Sequence, residues 1–130
     1  MKIHHVGYLT KRIDAAEKQF MLLGFSIEKS KQYDSIRKVN IEFLNNGNYR
    51  VELVEPADKE SPMYPLLKHY KNTPYHFCYI VSNIDESIHD FEARGYHVIQ
   101  PVEKAPCIDD YKVAFLLHPN MGIIEFVEMP

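Results

Sequence analysis

The sequence predicts an α+β chain of two tandem βαβββ modules whose eight strands form one cupped sheet. Three observations predict it. "HHVGYLTKRID" (4–14) returns as "YHFCYIVSNID" (75–85) at an offset of 71, which sets His5 on His76, Tyr8 on Tyr79, Ile13 on Ile84 and Asp14 on Asp85. The match runs on through Phe20 and Phe91, Gly24 and Gly95, and Phe25 and Tyr96. Finally, "VELVEP" (51–56) returns in "IEFVEMP" (124–130) at an offset of 73, placing Glu52 on Glu125, so a two-residue indel lies inside the repeat. Self-similarity of this kind fixes an architecture before any single element is read. A chain of 130 residues suits one domain of ordinary size, so the halves share it: module one spans 1–56, a linker 57–74 and module two 75–130.

Each element follows from local pattern. Ile3 to Leu9 is an apolar-rich strand. Ile13, Ala16, Phe20 and Leu23 then form one helical stripe, and Gly24 stands where a helix C-terminal glycine belongs. Strands follow at Phe25–Lys29, Val39–Leu44 and Tyr49–Val54, the last two joined by "NNGN" (45–48), whose asparagines and glycine tolerate positive φ. Residues 55–74, "EPADKESPMYPLLKHYKNTP", turn toward proline and charge, with a short helix over Tyr64–Tyr70. The second module repeats the plan. Its strand is Tyr75–Val81, its helix opens at Asp85 with Ile84, Ile88 and Phe91 on one face, and its later strands are Tyr96–Gln100, Lys112–Leu117 and Ile123–Val127.

Composition narrows the function. Net charge is −3, with 15 Lys and Arg against 18 Asp and Glu and no dense basic run, which argues against a nucleic-acid surface. Two cysteines without a CxxC support neither a disulfide framework nor a thiolate zinc site. "MKIHHVGYLT" lacks a signal-like start and no run approaches 18 apolar residues, so a soluble cytoplasmic protein without a membrane partner is expected.

The chemistry concentrates in the repeat. Each half carries one histidine on its first strand and one glutamate on its last: His5 and Glu52, His76 and Glu125. A lone strand histidine is ordinary, and "VELVE" alone is an alternating strand with its acids in solvent. Retention of both residue types at equivalent places changes that balance, because buried imidazole and carboxylate are costly without a partner. Paired by a pseudo-twofold, the four would form a His2Glu2 donor set suited to one divalent first-row metal, with positions left for water or substrate oxygens. The remaining polar residues read as ordinary. Tyr75 stands where His4 does, His69, His89 and His97 have no repeat partners, and His118 belongs to a turn or to the rim of the cleft. Glu55 and Glu128 repeat but face away from Glu52 and Glu125, toward solvent, whereas Cys78 is a small core residue on the His76 face. Arg37, Lys38 and Lys112 are available to an anionic substrate.

Together "HHVGYLTKRIDAAEKQFMLLGF", "YHFCYIVSNIDESIHDFEARGY", "VELVEP" and "HPNMGIIEFVE" resemble the vicinal oxygen chelate superfamily across essentially the whole chain. "VELVEPADKESPMYPLLKHY" and "KVAFLLHPNMGIIEFVE" are most similar to its acyl-thioester epimerases, with the glyoxalase I isomerases as neighbours. The resemblance implies metal ligands at His5, Glu52, His76 and Glu125, with nickel, cobalt, zinc or manganese as the ion, and makes Glu125 also the proton-transferring base. It implies a small carbonyl or thioester substrate and a homodimer. One segment departs: where the epimerases carry glycine ahead of the "KVAF" strand, this chain reads "APCIDDYKVAF". Two alternatives therefore stand beside an epimerase, a glyoxalase I-like isomerase and a non-catalytic small-molecule binder of the same fold.

Overall fold

The computed structural model describes residues 1–130. It contains two βαβββ modules, in which residues 5–75 form one compact unit and residues 1–4 with 76–130 the other. The first module comprises β1 (Ile3–Leu9), α1 (Ile13–Leu22), β2 (Ser26–Asp34), β3 (Val39–Asn45) and β4 (Arg50–Pro56). Its strands lie in the order β2-β3-β4-β1, with β1 parallel to β4 and the other neighbours antiparallel. A parallel β1–β4 pair needs a crossover, and α1 with the β2–β3 hairpin supplies it. The apolar stripe of α1 packs onto one face of this sheet: Ile13, Phe25, Leu44, Val51 and Leu53 are buried there, with Tyr8, Ala16 and Phe20 against them. Edge-on contacts of Phe20 with Tyr8 (5.1 Å) and Phe25 (5.2 Å) key the helix to the strands.

The linker forms α2 (Tyr64–Tyr70), with the bounds expected from sequence. Beyond it come β5 (Thr73–Val81), α3 (Ile84–Glu92), β6 (His97–Lys104), a 3-10 turn (Pro106–Ile108), β7 (Lys112–His118) and β8 (Gly122–Glu128). The order β5-β8-β7-β6 reproduces that of the first module, with β5 parallel to β8. Here α3 covers Val81, Ile84, Ala114, Leu116, Ile124 and Phe126, and Phe91 meets Phe126 edge-on at 5.0 Å. Gly24 and Gly95 follow their helices at φ +90° and +95°, the left-handed conformation that glycine adopts without strain.

Two strands are longer than their sequence pattern. β2 runs to Asp34 and β6 to Lys104, each past the end of its apolar stretch. Both lie at the edge of their module's sheet, and both break register twice, between Ile27 and Gln32 and between Val98 and Glu103. Edge strands with bulges carry no clean alternation, which is why pattern alone stopped early. No helix is long and apolar enough to cross a membrane.

Candidate active site

In the first unit, parallel pairing sets Gly7 of β1 opposite Glu52 of β4. His5, two residues earlier, shares the face of Gly7, so its ring is a diagonal neighbour of the Glu52 carboxylate. Its Nε2 lies 3.4 Å from Glu52 Oε1, and the two side chains are 0% and 4% exposed. The second unit repeats this register. Cys78 of β5 stands opposite Glu125 of β8, and His76, again two residues earlier, sets its Nε2 3.0 Å from Glu125 Oε1, with side chains 0% and 1% exposed.

A third strand completes each arrangement. Phe43 pairs with Glu52 across β3–β4 and meets the His5 ring edge-on at 5.5 Å and 74°. Phe115 pairs with Glu125 across β7–β8 and meets His76 at 5.2 Å and 84°. Each imidazole is thus fixed by a carboxylate on one neighbouring strand and by an aromatic edge on the next. The two phenylalanines fall at an offset of 72, inside the indel zone, where an alignment read at 71 or 73 passes over them.

The four sequence-predicted donors therefore arrive as two equivalent buried pairs, one per unit. Each pair brings an imidazole nitrogen and a carboxylate oxygen, donors that suit a divalent first-row cation, together in a buried position.

Two of the remaining residues lie elsewhere than expected. Glu55 and Glu128 do not point into solvent. Glu55 Oε2 accepts the Ile13 N–H at 2.9 Å and its Oε1 accepts from Asn40 Nδ2 at 2.8 Å, while Glu128 Oε2 accepts the Ile84 N–H at 2.9 Å. Each is the last-strand carboxylate that caps its own module's helix, where the exposed N–H groups and the positive end of the helix dipole favour it. Arg37 is occupied by Asp34 at 4.0 Å. His118 accepts the Asn120 N–H through Nδ1, which closes the β7–β8 turn, and Cys78 is fully buried. His69, His89 and His97 are exposed. The glycine-free segment still makes a left-handed turn, because Asp109 and Asp110 take φ +51° and +60°, a region aspartate tolerates better than most residues.

Sequence reading missed Glu42. It alternates with Ile41 and Phe43 and reads as a solvent-facing residue, yet it is 4% exposed beneath α1. Burial, then the Glu17 carboxylate with which it hydrogen-bonds, then Asp14 push its pKa up to about 7, against a lowering contribution from the Lys31 backbone.

The family model of the glyoxalase/bleomycin resistance protein/dioxygenase superfamily matches residues 4–115. Mitochondrial methylmalonyl-CoA epimerase of Bos taurus is 30% identical over 83 residues, which are 63% of this chain and 46% of that protein, so the chain spans under half of this relative's length. Among solved structures, a hypothetical protein from Bacillus halodurans C-125 superposes with a TM-score of 0.85 at 26% identity, covering 99% of this chain and 94% of that one. A variant of Streptomyces coelicolor methylmalonyl-CoA epimerase, in complex with 2-nitronate-propionyl-CoA, gives 0.81 at 20% identity, covering 98% and 96%. With its repeated modules, their strand order and a family match over most of its length, the chain belongs to the glyoxalase/bleomycin resistance protein/dioxygenase superfamily.

Proposed function

We propose that this chain is a divalent-metal-dependent enzyme that moves a proton on the carbon next to a carbonyl, with a methylmalonyl-CoA epimerase-like reaction as the leading assignment. The observation that carries the reading is the buried His–Glu pair found at the same register in both modules. In this proposal His5, Glu52, His76 and Glu125 together hold one ion, nickel, cobalt, zinc or manganese. When bound, such an ion supplies Lewis-acid stabilisation to negative charge developing on a carbonyl oxygen.

The rest of the work falls to the chain's own residues. Phe43 and Phe115 hold the two imidazoles edge-on, so neither ring needs to reorient during turnover. Burial of the four side chains, none more than 4% exposed, strengthens every charge interaction among them. Glu125 takes the proton from the carbon and returns it, and a general base in hydrogen-bond reach contributes about 10²- to 10⁴-fold. Epimerisation and glyoxalase-type isomerisation share proton removal and differ in where the proton returns. Two relatives favour the thioester: the Bos taurus protein is a methylmalonyl-CoA epimerase, and the Streptomyces coelicolor epimerase holds a CoA thioester analogue. A homodimer belongs to the same proposal, motivated by the exposed Met21, Leu22 and Leu23 at the end of α1.

Metal analysis of the purified protein, followed by proton–deuteron exchange on methylmalonyl-CoA watched by NMR, tests the reading. Expected are bound metal and exchange at the α-carbon that disappears on chelation. A protein that binds the thioester and leaves the α-proton unexchanged at saturating metal is a binder, and the enzyme assignment fails.

A further inference from the structure

We infer that the groove where β1, the start of α1 and the end of α2 meet is a binding site for a phosphate-bearing, nucleotide-type group. Two adjoining cavities form it, of about 360 Å³ and about 320 Å³, sharing Lys11 and Asn72. Lys11, Lys68 and Lys71 line the first, and Lys11 and Arg12 the second, so four cations face one groove. No carboxylate lines either cavity. The nearby acids are engaged elsewhere: Asp14 pairs with Lys31 at 3.5 Å, and Glu55 caps α1.

The fold explains only half of this concentration of charge. Lys68 and Lys71 lie at the C-terminal end of α2, where cations oppose the helix dipole favourably, and Lys71 Nζ donates to the Lys68 carbonyl at 3.2 Å. Lys11 and Arg12 are at the opposite kind of place. They immediately precede α1, whose N-terminus is the positive end, so their charge is unfavourable to their own helix. Within a chain of net charge −3, four cations line the two cavities and no carboxylate does. An anion from outside relieves both the mutual repulsion and the helix-end conflict.

The groove is also held in shape. Asn72 Oδ1 accepts the Lys11 N–H at 2.8 Å, tying the exit of α2 to the β1–α1 connection. Tyr64 and Leu67 on one side and Ala16 and Phe20 on the other give it an apolar, partly aromatic wall. Cations beside aromatic and aliphatic surface match a group with phosphates on a flat ring system, which a bare inorganic ion does not need. Lys11 is six residues beyond His5 and two beyond the end of β1, a span of at most about 22 Å. That separation suits either the distal nucleotide of a long-armed acyl thioester or a separate nucleotide.

Calorimetric titration with adenosine 3′,5′-bisphosphate tests the site. Wild-type protein should bind it, more weakly as salt rises. The double variant Lys11→Glu, Lys68→Glu should lose about tenfold or more in affinity, and the control Lys59→Glu, exposed in the linker and outside the groove, should lose none. An unchanged melting temperature in the double variant separates lost binding from lost fold. Absent binding to wild type, or equal binding to the double variant, overturns the inference. The two sources are then told apart by competition. If the bisphosphate displaces methylmalonyl-CoA but not the corresponding pantetheine thioester, the groove holds the substrate's tail, an arm that rests on the proposed function. If it binds without displacing either, the groove takes a separate nucleotide. Bisphosphate binding needs neither the metal nor turnover, so its failure and that of the enzyme assignment are independent.

Discussion

The two modules use one plan, and the largest chemical difference between them is at one buried position. Both place a histidine two residues before the position that faces the last-strand glutamate, both set a phenylalanine edge against that histidine, and both cap their helix with a carboxylate from the last strand. Beneath the helices they part. The register that equates Phe43 with Phe115 equates Glu42 with Ala114, so α3 packs on a small apolar residue where α1 packs over a carboxyl group. The halves share a histidine, a glutamate and a phenylalanine on one face and, beneath the helices, Tyr8 with Tyr79, Ile13 with Ile84 and Phe20 with Phe91.

The largest expected effect separates the two glutamates that the repeat makes equivalent. Glu125→Gln keeps an oxygen donor and removes a basic carboxylate, so exchange at the α-carbon of methylmalonyl-CoA should fall by about 10²- to 10⁴-fold while metal stays bound. Glu52→Gln should weaken or retune the metal with a smaller loss of rate. Equal losses at saturating metal would mean that the modules do not divide the labour between them.

Next in size is Glu42. Its folded pKa of about 7 exceeds the ordinary carboxyl value of 4.5, so the folded state holds the proton more tightly than the unfolded state. Stability from this group is therefore greatest at low pH, falls as pH rises from about 4.5 through about 7, and then levels. The groups facing it are Glu17 and Asp14 on α1 and the Lys31 backbone on β2. Glu42→Gln should remove this slope, with the variant gaining on the order of 2–3 kcal/mol over wild type between pH 5 and pH 8. Urea midpoints at the two pH values check it, and parallel wild-type and variant curves would refute it.

The smallest effect should be symmetric. Glu55→Ala and Glu128→Ala each remove a helix cap, and each should cost about 1 kcal/mol in urea denaturation. A loss confined to one module would show that the caps, unlike the His–Glu pairs, are not equivalent.

Much of this was legible in the sequence, for identifiable reasons. The 71-residue repeat exposed both modules, because a duplicated pattern outweighs the ambiguity of any single strand. His5 and His76, Glu52 and Glu125 emerged from the same comparison. The ends of β2 and β6 did not, since bulged edge strands lack alternation. Glu55 and Glu128 were visible as repeats, but their parity said only that they face away from the histidines, and a helix lying over that face was needed to give them a partner. Phe43 and Phe115 were hidden by the indel, and Glu42 by an alternating strand that is buried on both faces.

In the proposed function the two equivalent pairs make one site. Titration of the metal-free protein with cobalt, followed by the visible absorption of the bound ion, measures it directly. One equivalent per chain is predicted, with His5→Ala and His76→Ala each weakening binding by more than about 100-fold, since a lost ligand should exceed the effect of a lost supporting group. Two equivalents per chain, or one that survives either substitution at unchanged affinity, would contradict it.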